Sequence, residues 1–201
     1  MNIEKTIESL QKKGYKVSFF KSKEEATRYL EESIEGKTIG FGGSRTLTDL
    51  NLKKILSKKN KLFVPDFPEL GHDFYGTAID AMNTDYFFLS VNGLTENGDI
   101  VNLDSEGNRL AGSLFGHKKV FYVIGTNKIS ENLEKAIWRV RNVASPKNAM
   151  RFNLKTPCAI KGDKCYDCKS PQRICSSLLI HYKKPNSSEA EVILIDETLG
   201  F

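Results

Sequence analysis

The sequence lacks a long apolar run, and this absence limits the classes of protein that it can encode. No stretch of about twenty apolar residues occurs, which is the length that a helix needs to cross a bilayer. The first residues include Glu4, Lys5, Glu8, Lys12 and Lys13, where a signal peptide needs an uninterrupted apolar segment. We therefore expect a soluble, cytoplasmic protein without a membrane span.

Recognisable catalytic signatures are also missing. The histidines His72, His117 and His181 belong to no HExxH pattern and to no Ser/His/Asp grouping, so we expect them to be structural or exposed. The net charge is +5, but the two signs are interleaved over most of the length, and no basic stripe with interleaved aromatic residues accompanies them. Nucleic acid is therefore not an expected partner.

The pattern of apolar residues predicts one α/β domain. The 201 residues, of which 39% are hydrophobic and 27% charged, suit a single core with an appendage. Strand-like runs at 37–41, 61–64, 85–91 and 119–125 alternate with stretches of helical periodicity. Because parallel strands need crossovers that are usually helical, the alternation predicts a largely parallel, Rossmann-like sheet with helices on both faces.

Two predictions concern strand pairing. Asn97-Gly98 is a strong hairpin signal, so a hairpin is expected there. The β-prone runs 177–182 and 191–195 are separated by a polar turn, and we expect them to pair with each other.

All the cysteines lie in one segment, with the spacing C-x6-C-x2-C-x6-C. Thiolates two residues apart can turn toward one ion, and four thiolates satisfy a tetrahedral metal. Two disulfides are disfavoured inside a cell, and a redox-active C-x-x-C would leave the outer pair unexplained. The sequence therefore predicts one tetrathiolate centre, either zinc or [4Fe-4S]. Its ligands would be Cys158, Cys165, Cys168 and Cys175.

Two polar loops are candidate binding sites. Gly42, Gly43 and Ser44 follow a predicted strand and precede a predicted helix, where backbone N–H groups can hold an anion, although glycine serves a tight turn equally well. The loop is neither a P-loop nor the GxGxxG fingerprint. The second loop, residues 92–109, gathers acids, amides and Arg109; such loops often form sites, although tight turns use the same residues.

Five segments together carry a family resemblance. They are GFGGSRTL, NGLTENGDIVNLDSEGNRLAGSLFG, KKVFYVIGTNKI, LEKAIWRVRNVASPKNAMR and the cysteine segment. Over nearly the whole chain they resemble the LUD domain, the lactate-utilization family that includes lactate utilization protein C. The resemblance implies a fold similar to the superfamily of sugar-phosphate isomerases, glucosamine-phosphate deaminases and CoA-transferases. Residues 1–201 would form one such domain, with 155–177 as a metal-binding, cysteine-rich insertion.

The resemblance also implies a site and a function. In that superfamily the glycine loop binds phosphate or acyl ligands, and the family's polar blocks match further residues of this chain. The implied ligand-binding residues are Gly42, Gly43, Ser44, Thr46, Asn108, Arg109, Asn127 and Lys128. The family is associated with conversion of L-lactate to pyruvate by an iron–sulfur, multi-subunit system. The chain would be an accessory or ligand-binding subunit, with a small anionic ligand and iron–sulfur oxidoreductase subunits as partners.

Two other functions remain open. A stand-alone enzyme could act on a small phosphorylated or CoA-linked substrate, with Glu106 as a carboxylate base or nucleophile. A plainer alternative is an interaction module that is stapled by the metal and binds no small ligand. The residues alone do not decide whether the protein is an enzyme.

Overall fold

The computed structural model describes residues 1–68 and 72–201. Strands and helices alternate along these residues, as the apolar pattern predicts. The α-helices are α1 (Ile3–Lys12), α2 (Lys23–Ser33), α3 (Arg45–Asp49), α4 (Leu52–Leu56), α5 (Phe74–Ala81), α6 (Asn108–Leu114), α7 (Leu133–Arg139), α8 (Ser145–Arg151) and α9 (Pro157–Lys161). The strands are β1 (Lys16–Phe20), β2 (Thr38–Phe41), β3 (Lys61–Phe63), β4 (Tyr86–Leu89), β5 (Gly93–Thr95), β6 (Ile100–Asp104), β7 (Lys119–Gly125), β8 (Ile129–Ser130), β9 (Ser177–His181) and β10 (Glu189–Ile195).

The main sheet has six parallel strands in the order β1-β10-β7-β4-β2-β3. Successive side chains of a strand point to opposite faces, and β7 shows this clearly. Phe121 and Val123 pack with α2, α3 and α4 on one face, whereas Val120 and Tyr122 pack with α1 and α5 on the other. The predicted parallel α/β sheet with helices on both faces is confirmed.

The predicted pairing of the last two strands is wrong. β10 lies between β1 and β7 in the main sheet, whereas β9 pairs antiparallel with β6 in a second sheet. The difference follows from burial: β10 is buried from Ala190 to Ile195, as a central parallel strand must be, but β9 is largely exposed or half-buried.

The second sheet is small and has the order β8-β5-β6-β9. The expected hairpin at Asn97-Gly98 joins β5 to β6, and Gly98 has a positive φ of 80°, which glycine adopts without steric cost. Val101 of this sheet packs against Ala136 and Val140. The small sheet is thereby attached to the helical segment that begins with α7.

That helical segment runs without interruption from α7 to α8 through a π-helical turn, Val140–Ala144. Pro146 has no N–H group and disfavours an ordinary helical turn before it, which explains the change of register. Ser145 Oγ donates to the Val140 carbonyl at 2.9 Å. Residues 133–151 therefore form one continuous helical unit.

Two other segments contain only short helices. Asn51 has a left-handed φ of 53° and separates α3 from α4, where the leucine spacing suggests one helix. Residues 155–177, the predicted cysteine-rich insertion, contain α9 followed by irregular chain. Within residues 1–68 and 72–201 no helix has the length and apolar character required to cross a membrane.

Candidate functional site

A cleft of about 940 Å³ opens at the carboxyl ends of the central strands. The chain runs from β2 outward to β3 and then returns to the other side of β2 to form β4, so the strand order reverses between β2 and β4. In open α/β sheets, ligands bind at such reversal points. The side chains that follow these strands and line the cleft are Ser44 and Thr46 after β2, Asp66 after β3, Ser90 after β4 and Lys128 after β7.

Lys128 is the buried basic group of the cleft. It ends a 3-10 turn directly after β7 and is only 3% exposed. Its Nζ lies 2.8 Å from Thr46 Oγ1 and 2.9 Å from Ser90 Oγ, so the amine bridges the two loops at the reversal point. Within residues 1–68 and 72–201 no carboxylate forms an ion pair with it.

The charges around Lys128 are mostly of its own sign. Burial, together with the positive charges of Arg139 and Arg109, holds the pKa of Lys128 well below its usual range, and Asp49 opposes this shift only weakly. The Asp49 carboxylate is already engaged by Arg45 Nε at 2.7 Å and by the Gly200 amide at 3.0 Å. The site therefore disfavours a proton on the amine unless an anion enters.

Arg139 supplies a second buried basic group near Lys128. Its guanidinium donates to backbone carbonyls, those of Asn92 at 2.5 Å and of Asn127 and Phe201 at 3.3 Å. Burial lowers the pKa of Arg139 to about 10, so the group remains charged at neutral pH. Arg139 does not line the cleft, but its charge acts on Lys128.

The glycine loop has its small residues because two side chains lie against it. A Cβ on Gly42 would lie 2.7 Å from Arg109 Cγ, and one on Gly43 would lie 2.9 Å from Asp66 Oδ2. Neither glycine has a positive φ in this structure. Close approach of Arg109 and Asp66, rather than a special backbone conformation, therefore requires glycine at these positions.

Arg109 fixes the polar loop. Its Nη2 donates to Asn92 Oδ1 at 2.9 Å and to the Leu103 carbonyl at 2.8 Å, while Nη1 reaches Asn102 Oδ1 at 3.3 Å and Nε reaches Asp104 Oδ1 at 3.4 Å. Most donors of the guanidinium are thus used within the protein. Arg109 positions the loop that borders the cleft and has little capacity left for a ligand.

Two carboxylates border the cleft in different surroundings. Asp66 is open to solvent, yet the surrounding cleft walls raise its pKa, against the lowering effect of Arg151 and Arg109. Glu106 is exposed at the rim and accepts hydrogen bonds from Tyr75 Oη and Ser105 Oγ, both at 3.1 Å. Within the cleft, desolvation therefore favours the protonated form of Asp66.

The structure brings most of the predicted residues together. Gly43, Ser44, Thr46, Glu106, Asn108, Arg109 and Lys128 all line the cleft. Gly42 lies beneath Arg109 instead, and Asn127 Oδ1 accepts from the Leu199 amide at 3.2 Å, which holds the last residues against the site. The prediction did not include Asp66 and Ser90, although Asp66 lies two residues after one predicted strand and Ser90 lies near the end of another.

The last residues form one wall of the cleft. Thr46 Oγ1 donates to the Leu199 carbonyl at 3.3 Å, and Phe201 lines the opening. Gly200 has a φ of 61°, and a Cβ there would lie 2.5 Å from Thr46 Oγ1 and 3.4 Å from Lys128 Nζ. Both the conformation and the contact require glycine at this position.

The cysteine segment adjoins the cleft. Cys165 and Cys175 line a pocket of about 240 Å³ that shares Leu103 and Ser145 with the larger cleft. Arg173 Nε lies 3.1 Å from Cys175 Sγ, and Arg141 donates to Cys165 Sγ at 3.7 Å. In the part of the chain that the structure describes, no three Cys, His, Asp or Glu side chains are placed to hold a metal ion. The four-sulfur centre therefore stays a prediction.

The histidines lie away from the cleft. His181 and His117 are buried; the former contacts Ser113 Oγ at 3.1 Å and the latter stacks on Phe87. Burial lowers the pKa of His181 to about 4 and also lowers that of His117. His72 is half exposed, 3.6 Å from Asp80. Their structural or exposed character agrees with the prediction.

Comparison with known proteins gives a family and a fold. The model of the LUD domain family matches residues 3–195. A crystal structure of a DUF162 family protein from Deinococcus radiodurans is similar with a TM-score of 0.55 and 10% identity, over 96% of this chain and 95% of that chain. Ribose 5-phosphate isomerase from Plasmodium falciparum gives a TM-score of 0.39 and 13% identity, over 88% and 95% of the two chains. No curated protein matches significantly.

Proposed function

Because this chain belongs to the LUD domain family, which is associated with lactate utilization, we propose that it is a ligand-binding or accessory subunit of an organic-acid utilization system. Its cleft binds a small carboxylate, such as lactate or pyruvate. The observation that supports this proposal is the buried Lys128 amine, which borders the cleft beside Arg139 and Arg109 and has no acidic partner in the described residues.

An anion would supply the missing negative charge. Buried charges are normally paired or hydrogen-bonded, because removing a lone charge from water is costly. A carboxylate beside Lys128 would oppose the effect of the neighbouring arginines on the pKa of the amine. The hydroxyl group of Ser44, whose oxygen caps α3 by accepting from the Leu47 amide at 3.3 Å, can donate to the same ligand.

Calorimetric titration with L-lactate tests the proposal. We expect one saturable site in the wild-type protein. Lys128→Met removes a charged hydrogen bond, worth about 1.5–3 kcal/mol, which corresponds to a loss of affinity of roughly 10-fold to 150-fold.

Lys147→Met, which removes an exposed lysine of α8, is the matched control and should bind as the wild type does. Equal affinity of the wild type and Lys128→Met would refute the assignment of Lys128.

A second candidate is a stand-alone enzyme on a phosphorylated or CoA-linked substrate. The observation in its favour is the size of the cleft, which at about 940 Å³ far exceeds a three-carbon acid and has the aromatic side chains of Phe67, Phe74, Tyr75 and Phe152 on its walls. Titration with acetyl-CoA and with inorganic phosphate separates the two candidates. Binding of acetyl-CoA without binding of lactate would favour the enzyme, and Asp66→Asn and Glu106→Gln would then identify its carboxylate.

The tetrathiolate centre belongs to the same proposal. The confinement of all four thiols to residues 158–175, and the pocket that Cys165 shares with Cys175, support it. A zinc ion would stabilise the segment, whereas [4Fe-4S] would carry electrons to iron–sulfur oxidoreductase subunits. Elemental analysis and the absorbance spectrum of protein that is purified without air or chelator decide between them. Absence of both zinc and iron would contradict the centre.

A further inference from the structure

We propose that Lys128 Nζ is a nucleophile that forms an imine with the carbonyl carbon of a 2-oxo acid bound in the cleft. The inference rests on the proposed function, because it requires that a small organic acid enters this cleft. It goes beyond binding, since it assigns a covalent step and the class of ligand that undergoes it.

The hydrogen bonds of Lys128 leave one position of its nitrogen open. The amine donates to Thr46 Oγ1 and to Ser90 Oγ. Ser90 Oγ donates in turn to Thr46 Oγ1 at 3.2 Å, and Thr46 Oγ1 donates to the Leu199 carbonyl at 3.3 Å. Each donor hydrogen in this series of hydrogen bonds thus has an acceptor. A neutral amine uses both of its N–H groups here, and its lone pair is the group left for a ligand.

The surroundings favour the neutral amine. A lysine becomes nucleophilic when it is desolvated or lies next to another cationic group, and Lys128 meets both conditions. The elements packed around it contribute the positive charges of Arg139 and Arg109, whereas Asp49 is engaged by Arg45 and by the Gly200 amide. In the empty cleft the pKa of Lys128 is accordingly lowered.

The reaction needs no oxidant or reductant. The lone pair of Nζ attacks the carbonyl carbon, a C–N bond forms, and the carbonyl oxygen takes up a proton to give a carbinolamine. Nitrogen loses one proton, the hydroxyl group takes up a second proton and leaves as water as the C–O bond breaks, and the nitrogen lone pair forms the C=N bond of an iminium ion. Loss of the remaining N–H proton then gives the imine. Asp66, whose pKa is raised, lines the same cleft and can relay these protons. An acid without a carbonyl, such as lactate, binds but cannot react.

Reductive trapping with pyruvate tests the inference. The wild-type protein is incubated with pyruvate and sodium cyanoborohydride, digested, and mapped by mass spectrometry. We expect one dominant reduced adduct on the peptide that contains Lys128, at least tenfold above the adduct at the exposed Lys147. L-lactate should give no adduct and should slow the reaction with pyruvate. Labelling at Lys128 that does not exceed labelling at Lys147 would overturn the inference.

The parallel titration with L-lactate separates failure of this inference from failure of the proposed function. If lactate binds and no adduct forms at Lys128, the imine is wrong and the binding proposal stands; if neither occurs, both are wrong. Lys147→Met leaves Lys128 in place, so it should retain both lactate binding and the adduct at Lys128. Because the mapping uses the wild-type protein, the test does not depend on the folding of this variant.

Discussion

Replacement of Lys128 by methionine should change the stability of the protein by an amount that depends on pH. Methionine retains the aliphatic stem and removes the amine, so Thr46 and Ser90 each lose a donor at a cost of about 1 kcal/mol per hydrogen bond. The buried charge disappears as well. Its penalty in the wild-type protein depends on how much of the amine is protonated at the pH of the measurement.

The direction of this pH dependence follows from the pKa of Lys128 in the unfolded chain and in the folded protein. In the unfolded chain the amine has its ordinary pKa of 10.5, whereas in the folded protein burial and the neighbouring arginines lower this pKa. Between the two values the unfolded state binds more protons, so the free energy of unfolding of the wild type rises with pH. The slope approaches about 1.4 kcal/mol per pH unit. Lys128→Met lacks the amine. The free energy of unfolding of the wild type minus that of Lys128→Met should therefore rise with pH at this slope.

Urea unfolding followed by circular dichroism at pH 7, 8 and 9 measures this difference. Groups that both proteins share, such as Arg139, cancel in the subtraction. The exposed Lys147→Met is the control, and its difference from the wild type should not change with pH. A wild-type minus Lys128→Met difference that is equally flat would refute the reasoning, because it would mean that folding does not lower the pKa of Lys128 into this pH range.

Three further substitutions test other parts of the account. Gly42→Ala places a Cβ 2.7 Å from Arg109 Cγ; it should lower the free energy of unfolding by about 1–3 kcal/mol in urea, and an unchanged midpoint would show that Arg109 moves freely. Gly200→Ala imposes a φ of 61° on alanine and a contact of 2.5 Å with Thr46 Oγ1. It should lower the free energy of unfolding by about 1–2 kcal/mol and weaken lactate binding in calorimetry. Undiminished binding would exclude the last residues from the site. Burial lowers the pKa of His181 to about 4, so between pH 6.5 and pH 4 the unfolded chain binds a proton that the folded protein does not, and the free energy of unfolding should fall as the pH drops through this range. In urea titrations His181→Gln should reduce this fall, whereas the half-exposed His72→Gln should not. An equal fall in the wild type and in both variants would contradict the assignment.

The main sheet could be predicted because its strands are buried on both faces. Runs such as Lys119–Gly125 are nearly all apolar, which is typical of central parallel strands. Strand partners could not be predicted in the same way. β9 and β10 are adjacent in sequence, but their partners β6, β1 and β7 are set by crossovers that span much of the chain.

The candidate site was predicted in its parts and not in its geometry. Ser44, Thr46 and Lys128 entered through the family resemblance, but the contacts of Lys128 join residues 82 and 38 positions apart in sequence, and no local pattern reports such distances. Asp66 and Ser90 lie within three residues of strand ends and could have been found once the strand order was known. The cysteine spacing identifies suitable donors, whereas their arrangement depends on irregular chain that has no periodicity.

A crystal structure of the protein with saturating L-lactate tests the central claim most directly. The account predicts the ligand in the cleft between the loops after β2 and β4, with its carboxylate within hydrogen-bond distance of Lys128 Nζ. A ligand bound elsewhere, at a concentration that saturates the calorimetric site, would contradict it.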